Sequence, residues 1–378
     1  MASTIPSTTS STGSPQINLA QALRRKMQTT VLPGGTVHPE ASFTIRMADA
    51  YDYSILGDDL DPDDLHEQMI KSNTEIASIL TSIPSSEQEA AADDYLLDML
   101  SKMVFGSNYI EQAGCGLEIT LKLCRQVFKG EPVPATIDET DSQFAELQSD
   151  LLRQGVSPDV QDVLRARREI VQHAKAAVFM IKEVYLSGKD LTEEIILETH
   201  RQLTIGIDTE QGYSWTQYSG VYRLLPVCAG LTSFPDADEV PGLMRRMIRN
   251  LNKDLETAVR TGTIDPVDLA SKYCHQFVNI HPFLDGNGRT CRLILNALLL
   301  KYGSFLSCIG QDDETRETYL EIAANSSMNE LSSQGDFDDD DVAAPKYYKQ
   351  LASFILKHAT EGMRGFVHAL KGNLGEEA

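Results

Sequence analysis

From about residue 46 onward, apolar residues recur every three to four positions, which predicts an almost entirely helical, all-α body. Between Tyr95 and Phe105 they fall at Leu96, Met99, Leu100, Met103 and Val104. Leu117 to Phe128 repeats the pattern and is closed by Gly130 and Pro132. Residues 132–141 read as a loop. Ser157-Pro158 opens a long helix through Ile170, Val171, Ala174, Ala177, Val178 and Ile181, which Gly188 ends. Thr192 caps a further helix carrying Ile195, Ile196, His200 and Leu203. From 212 to 235 the period is lost among glycine, proline, β-branched and aromatic residues. Val240 resumes it through Met244 and Leu251.

Asp265-Pro266 is an N-cap and first-turn pair. Ala270, Tyr273, Cys274 and Phe277 then share one face, and Pro282 disfavours helical geometry at the residue before it, so this helix should end near His281. A second helix begins near Arg289, is anchored by Leu293, Ile294 and Leu298, and stops at Gly303. Four regions follow: a disordered or targeting segment at 1–45, a helical region at 46–185, a core at 186–305, and a helical C-terminal region at 306–378.

The chain has 378 residues and a formal net charge of -22, so a polynucleotide would be repelled except at a local basic patch. No nucleic-acid partner is expected, and no run approaches the ~18 apolar residues of a membrane span. The six cysteines show no metal-site spacing and read as free thiols in a reducing compartment. The first 39 residues lack Asp and Glu, are rich in Ser and Thr, and carry Arg24, Arg25 and Lys26. A disordered tail explains this with a cytoplasmic location; a mitochondrial transit peptide is the alternative. The acidic run from Gly335 to Asp341 lacks the spacing of a calcium loop and reads as solvated.

Candidate chemistry concentrates in His281 to Arg292. Gly286 and Gly288 permit backbone conformations that turn successive N–H groups toward one centre, and the next helix points its N-terminus at the same place. A glycine-rich turn alone is a weak signal. Here a histidine (His281), a carboxylate (Asp285) and two cations (Arg289, Arg292) flank it, which points to a nucleotide site with ATP and magnesium.

The segment resembles the signature of the Fic family, His-x-Phe-x-Asp/Glu-Gly-Asn-Gly-Arg-x-x-Arg, at every fixed position. Two more segments are similar to family elements. Ser107 to Gln112 resembles an inhibitory motif, Ser/Thr-x-x-x-Glu-Gly/Asn, with Gln112 replacing the usual last residue. Gly220, Val221, Tyr222 and Arg223, with the stretch to Gly230 and Phe234-Pro235, resemble the flap, a small β-hairpin beside the active site. The resemblance covers roughly residues 101–302.

It implies a Fic fold and a protein adenylyltransferase that moves AMP from ATP to a hydroxyl of a target protein held along the flap edge. His281 would be the general base, and Asp285 would hold Mg2+. Gly286, Asn287 and Gly288 would stabilise phosphate charge, with Arg289 and Arg292 clamping the leaving pyrophosphate. Glu111, with Ser107, would pair with Arg292 and exclude productive ATP. Removal of AMP, with Glu111 orienting water, is the alternative, and a non-enzymatic helical binding module is a distant third. His275 reads as a packed or supporting histidine. Homo-oligomerisation is left open.

Overall fold

The computed structural model describes residues 17–30, 42–43, 50–56, 60–82, 86–229, 232–333 and 345–372. The acidic run at 335–341 lies outside them, as do residues 1–16. The chain begins with α1 (Leu19–Thr30), a two-residue strand β1 (Ser42–Phe43) and a 3-10 turn at Tyr53–Leu56. Four helices follow: α2 (Pro62–Ser82), α3 (Ser86–Ile110), α4 (Leu117–Phe128) and α5 (Ser142–Arg153). Next come α6 (Val160–Ile181), running into a π-helical turn at Lys182–Leu186, then α7 (Glu193–Thr204) and the short α8 (Trp215–Tyr218). Strands β2 (Cys228–Ala229) and β3 (Thr232–Ser233) precede α9 (Val240–Thr261) and β4 (Thr263–Ile264). The last four helices are α10 (Pro266–Ile280), α11 (Asn287–Gly303), α12 (Asp313–Ser333) and α13 (Lys349–Gly372).

Local chemistry accounts for the helices around the signature. Asp265 accepts hydrogen bonds from the Val267 and Asp268 N–H groups, both at 3.0 Å, with Pro266 in the first turn. His281 ends α10 in the left-handed region, φ 48°. Gly286, φ 78°, turns the chain into α11, which begins at Asn287, two residues earlier than the pattern suggested. From Arg289 to Leu300 every residue of α11 is buried, so this helix is surrounded by the others. It packs on α10, α6, α7 and α3.

One expectation is corrected, and another is located more closely. Residues 1–45 were expected to be a disordered or targeting segment; the disordered reading fails over Leu19–Thr30, a docked helix with Leu19, Ala20, Leu23 and Met27 buried. Those positions form one helical face, and Arg24 reaches Asp93 at 2.7 Å and Glu89 at 2.8 Å on α3. Within the stretch read as the flap, from Gly220 to Phe234-Pro235, the antiparallel pair sits toward the far end, Cys228 opposite Ser233 and Ala229 opposite Thr232. Residues 220–223 form a turn. Gly220 has φ 72°, and a Cβ there would press on Arg201 and the Leu197 carbonyl. One cluster of buried apolar side chains runs from Leu19 to Leu370, so the four sequence regions share a core.

Candidate functional site

The loop from His281 to Gly286 crosses from α10 to α11 and is closed by one side chain. Asn287 Oδ1 accepts from the Phe283 N–H at 2.9 Å, and its Nδ2 donates to the Phe283 carbonyl at 2.8 Å. Both polar atoms of this buried amide therefore serve the loop, which leaves the backbone N–H as the group Asn287 can present to an anion.

His281 Nδ1 lies 3.1 Å from the Val278 carbonyl. That carbonyl can only accept, so Nδ1 carries the proton and Nε2 keeps its lone pair. The ring stacks on Phe234 at 3.8 Å between centroids. Burial lowers its pKa to about 4, which keeps it neutral near pH 7. The site thus holds a neutral imidazole able to accept a proton.

His200, on α7, was assigned no role from sequence and is central to the loop. Its ring stacks on Phe283 at 3.6 Å, Nε2 faces the Asp285 carbonyl at 2.8 Å, and Nδ1 accepts from the Gly220 N–H at 2.9 Å. One side chain thus ties the signature loop to the turn at 220. Burial lowers its pKa to about 4, so this histidine is also neutral. Arg223 makes a second tie. Its N–H donates to the Pro282 carbonyl, and its guanidinium donates to the carbonyls of His281, Leu225 and Pro235. The predicted flap residues are therefore struts between loop and hairpin, with Tyr222 against Phe283 and Val221 exposed.

At the start of α11 the charges separate into a free pair and an occupied one. Arg289 is buried, with only a 3.5 Å contact from Nη2 to Asp285, and its Nε and Nη1 have no partner. Two buried donors without partners are costly, and an anion would satisfy them. Arg292 is engaged through Nε and Nη2. Nε donates to Ser107 Oγ at 2.8 Å, and Nη2 donates to the Ser107 carbonyl at 2.8 Å and to Glu111 Oε1 at 2.7 Å. Burial opposes its charge, but the Glu111 carboxylate more than compensates and holds its pKa raised. A Cβ added at Gly288 would collide with Glu111 Oε1, so that carboxylate lies against the first turn of α11. Asp285 keeps lone pairs toward solvent, with Oδ1 taking the Gly286 N–H at 2.6 Å.

All the sequence-predicted residues from His281 to Arg292 meet here, together with Ser107 and Glu111. Ser107 and Glu111 come from the C-terminal end of α3, where Gln112 turns left-handed at φ 55°. The end of α3 is clamped by groups with no sequence signal. Asn108 Oδ1 lies 2.7 Å from His173 Nδ1 on α6, Tyr109 donates to Asp313, and Arg316 reaches the Tyr109 and Ile110 carbonyls. His275 is a supporting residue, 2.8 Å from Glu330. Among the described residues no group of three or more His, Cys, Asp or Glu side chains is placed to hold a metal, and no helix is long and apolar enough to cross a membrane.

Fold and site together define an all-helical protein with a histidine-led anion loop between two central helices. The Fic/DOC family model matches residues 190–299 of the chain. Protein adenylyltransferase Fic of Drosophila yakuba is 36% identical over 114 residues, which is 30% of this chain and 21% of that protein. The Drosophila mojavensis protein of the same name is 32% identical over 124 residues, 33% of this chain and 21% of its own length. The chain thus spans about a fifth of the length of these curated relatives. A Fic domain containing signaling protein from Bacteroides thetaiotaomicron shares the fold at TM-score 0.55 and 19% identity, covering 81% of this chain and 98% of that one. A Fic-1 fragment from C. elegans does so at TM-score 0.53 and 18% identity, covering 82% and 72%.

Proposed function

We propose that the protein transfers AMP from ATP to a hydroxyl side chain of a protein acceptor, and that Glu111 restrains this reaction. One observation carries the reading: a neutral His281 with a free Nε2 shares a loop with buried, unpartnered Arg289 donors, beside an Arg292 that Glu111 holds. The relatives named protein adenylyltransferase support AMP as the group moved.

In this reading the acceptor hydroxyl oxygen attacks the α-phosphorus, its proton passes to His281 Nε2, and the bond to the β-phosphate oxygen breaks to release pyrophosphate. The backbone N–H groups of Asn287 and Gly288 meet the charge that develops on the α-phosphate, since Gly286 gives its N–H to Asp285. Arg289 and a released Arg292 take the departing phosphates. Asp285 fits magnesium in the way that cation usually reaches phosphate sites, through one carboxylate plus substrate oxygens. Bound there, it would neutralise phosphate charge. The Glu111 carboxylate, lying against Gly288, repels a phosphate at that place and removes one of its two cations.

A second reading is hydrolysis of AMP from a modified protein. Glu111 is 37% exposed and binds Arg292 through one oxygen, which leaves the other for water. Incubation with ATP and Mg2+, followed by intact-mass measurement, tests the first reading. Glu111→Gly should gain AMP adducts that wild type lacks, by about 10-fold or more if the carboxylate costs even ~1.4 kcal/mol of productive binding. Equal adducts in both forms would refute the restraint. If wild type strips AMP from a modified acceptor and Glu111→Gly does not, the hydrolytic direction is the operating one.

A further inference from the structure

Phe234, whose ring stacks on His281, also lines a cleft of about 540 Å³. Phe234 and Pro235 at the hairpin exit form one wall, Arg246 and Asn250 of α9 another, and Gln276 and Asn279 of α10 its floor. Ile280, the residue before His281, also lines it, so the cleft opens directly beside the loop.

The helix above the cleft has an unusual charge pattern for this protein. Arg245, Arg246, Arg249 and Lys253 are all exposed. At ~100° per residue they fall within about 100° of arc, a single stripe. None makes a salt bridge among the described residues, in a chain whose formal net charge is -22. Of the two carboxylates that line the cleft, Glu330 takes His275 and Asn279, and Glu239 takes the Asp236 N–H. On the hairpin approach, Leu224 is 89% exposed and is flanked by the exposed Val221 and Leu225. Arg246 joins the cationic stripe to the cleft, and Leu224 follows Arg223, which is bonded to the His281 carbonyl.

Resting on the AMP-transfer reading, we propose that this face docks the acceptor protein, and that the acceptor carries Asp or Glu side chains beside its modified hydroxyl. Charge complementarity selects that occupant. The cations of α9 would hold the acidic residues in the cleft, while an apolar side chain covers Leu224. The hydroxyl residue would cross Phe234 to reach His281. An extended strand advances about 3.3 Å per residue, so the acidic positions belong within a few residues of the hydroxyl. A polyanion such as RNA would meet the same stripe but also the field of a strongly acidic chain, which disfavours it.

The test reads binding without nucleotide, so it is independent of whether transfer occurs. Full-length protein is titrated against a fluorescein-labelled synthetic peptide with one Thr, a neighbouring Leu and four Glu. A second peptide replaces each Glu by Gln. The Glu peptide should bind at least ten-fold more tightly, and added salt should remove most of the difference. Arg246→Glu with Arg249→Glu should lose the preference, and the milder Arg246→Gln with Arg249→Gln should reduce it; unchanged thermal melts would show that each variant is folded. Equal affinity for both peptides, or a preference that survives the Gln substitutions, overturns the proposal. So does tighter binding of a uridine oligonucleotide than of the Glu peptide. If Glu111→Gly gains AMP while the peptides bind equally, only this inference falls.

Discussion

At the scale of single residues, His281 and His200 are the groups whose lowered pKa values predict a pH dependence. His281 has a folded pKa of about 4 because burial penalises the imidazolium. Its basic form is therefore fully populated across neutral pH. Transfer by the Glu111→Gly form should be flat from pH 8 to 6 and fall only well below the ordinary histidine value. An acid limb centred near 6.5 would contradict the buried assignment. His281→Ala should lower transfer by roughly 10²–10⁴-fold while nucleotide binding persists, because the proton acceptor is separate from the phosphate donors. Calorimetric loss of ATP binding in Glu111→Gly, His281→Ala would contradict that separation. His200 also sits at about 4 in the fold. Its unfolded pKa is near 6.5, so between those values the unfolded chain binds the extra proton and stability falls as pH drops. The contribution is complete above 6.5 and amounts to up to roughly 3 kcal/mol lost on reaching pH 4. His200→Gln should flatten that part of the urea-stability profile, and an unchanged profile would assign the effect elsewhere.

At the scale of elements, the end of α3 and the start of α11 are the parts that meet, and their packing is tight enough to manipulate. A Cβ at Gly106 would strike the Ile309 carbonyl, which is backbone and cannot yield cheaply. Gly106→Ala should therefore push α3 outward, at a cost of about 1–3 kcal/mol in stability. That displaces Ser107 and Glu111 from Arg292. AMP adducts should rise above wild type, though less than with Glu111→Gly. If Gly106→Ala lowers stability without raising adducts, the position of α3 does not set the restraint. Much at this scale was legible beforehand. Asp265-Pro266 and Gly286 mark α10 and α11 because caps and left-handed turns act through neighbouring residues. The same holds for Thr192, which accepts from the Ile195 N–H. The hairpin was legible only as a stretch, because its two-residue strands carry no alternating pattern, and residues 220–223 are held by tertiary bonds from His200 and Arg223. The clamp of Asn108, His173 and Arg316 was invisible for the same reason. Each partner lies dozens of positions away or more, and only the fold brings them together.

At the scale of the whole molecule, the question is whether the N-terminal helix is an appendage or part of the folded unit. Composition suggested a tail, because an acid-free stretch rich in Ser and Thr rarely buries enough apolar surface to order itself. The helix escapes that rule through Leu19, Leu23 and Met27, which join the core that extends to Leu370, and through Arg24, which borrows the carboxylates of α3. One continuous core implies one cooperative unfolding transition. The only tryptophan of the sequence, Trp215, lies in α8, far along the chain from α1. Leu23→Ala removes a fully buried side chain from α1 and should cost roughly 2–5 kcal/mol. If the core is shared, urea unfolding followed by Trp215 fluorescence and by far-UV circular dichroism should give one midpoint in wild type. Both probes should then shift together in Leu23→Ala. A circular-dichroism shift with the tryptophan midpoint unmoved would show that α1 melts by itself, and that the loop keeps its fold without it.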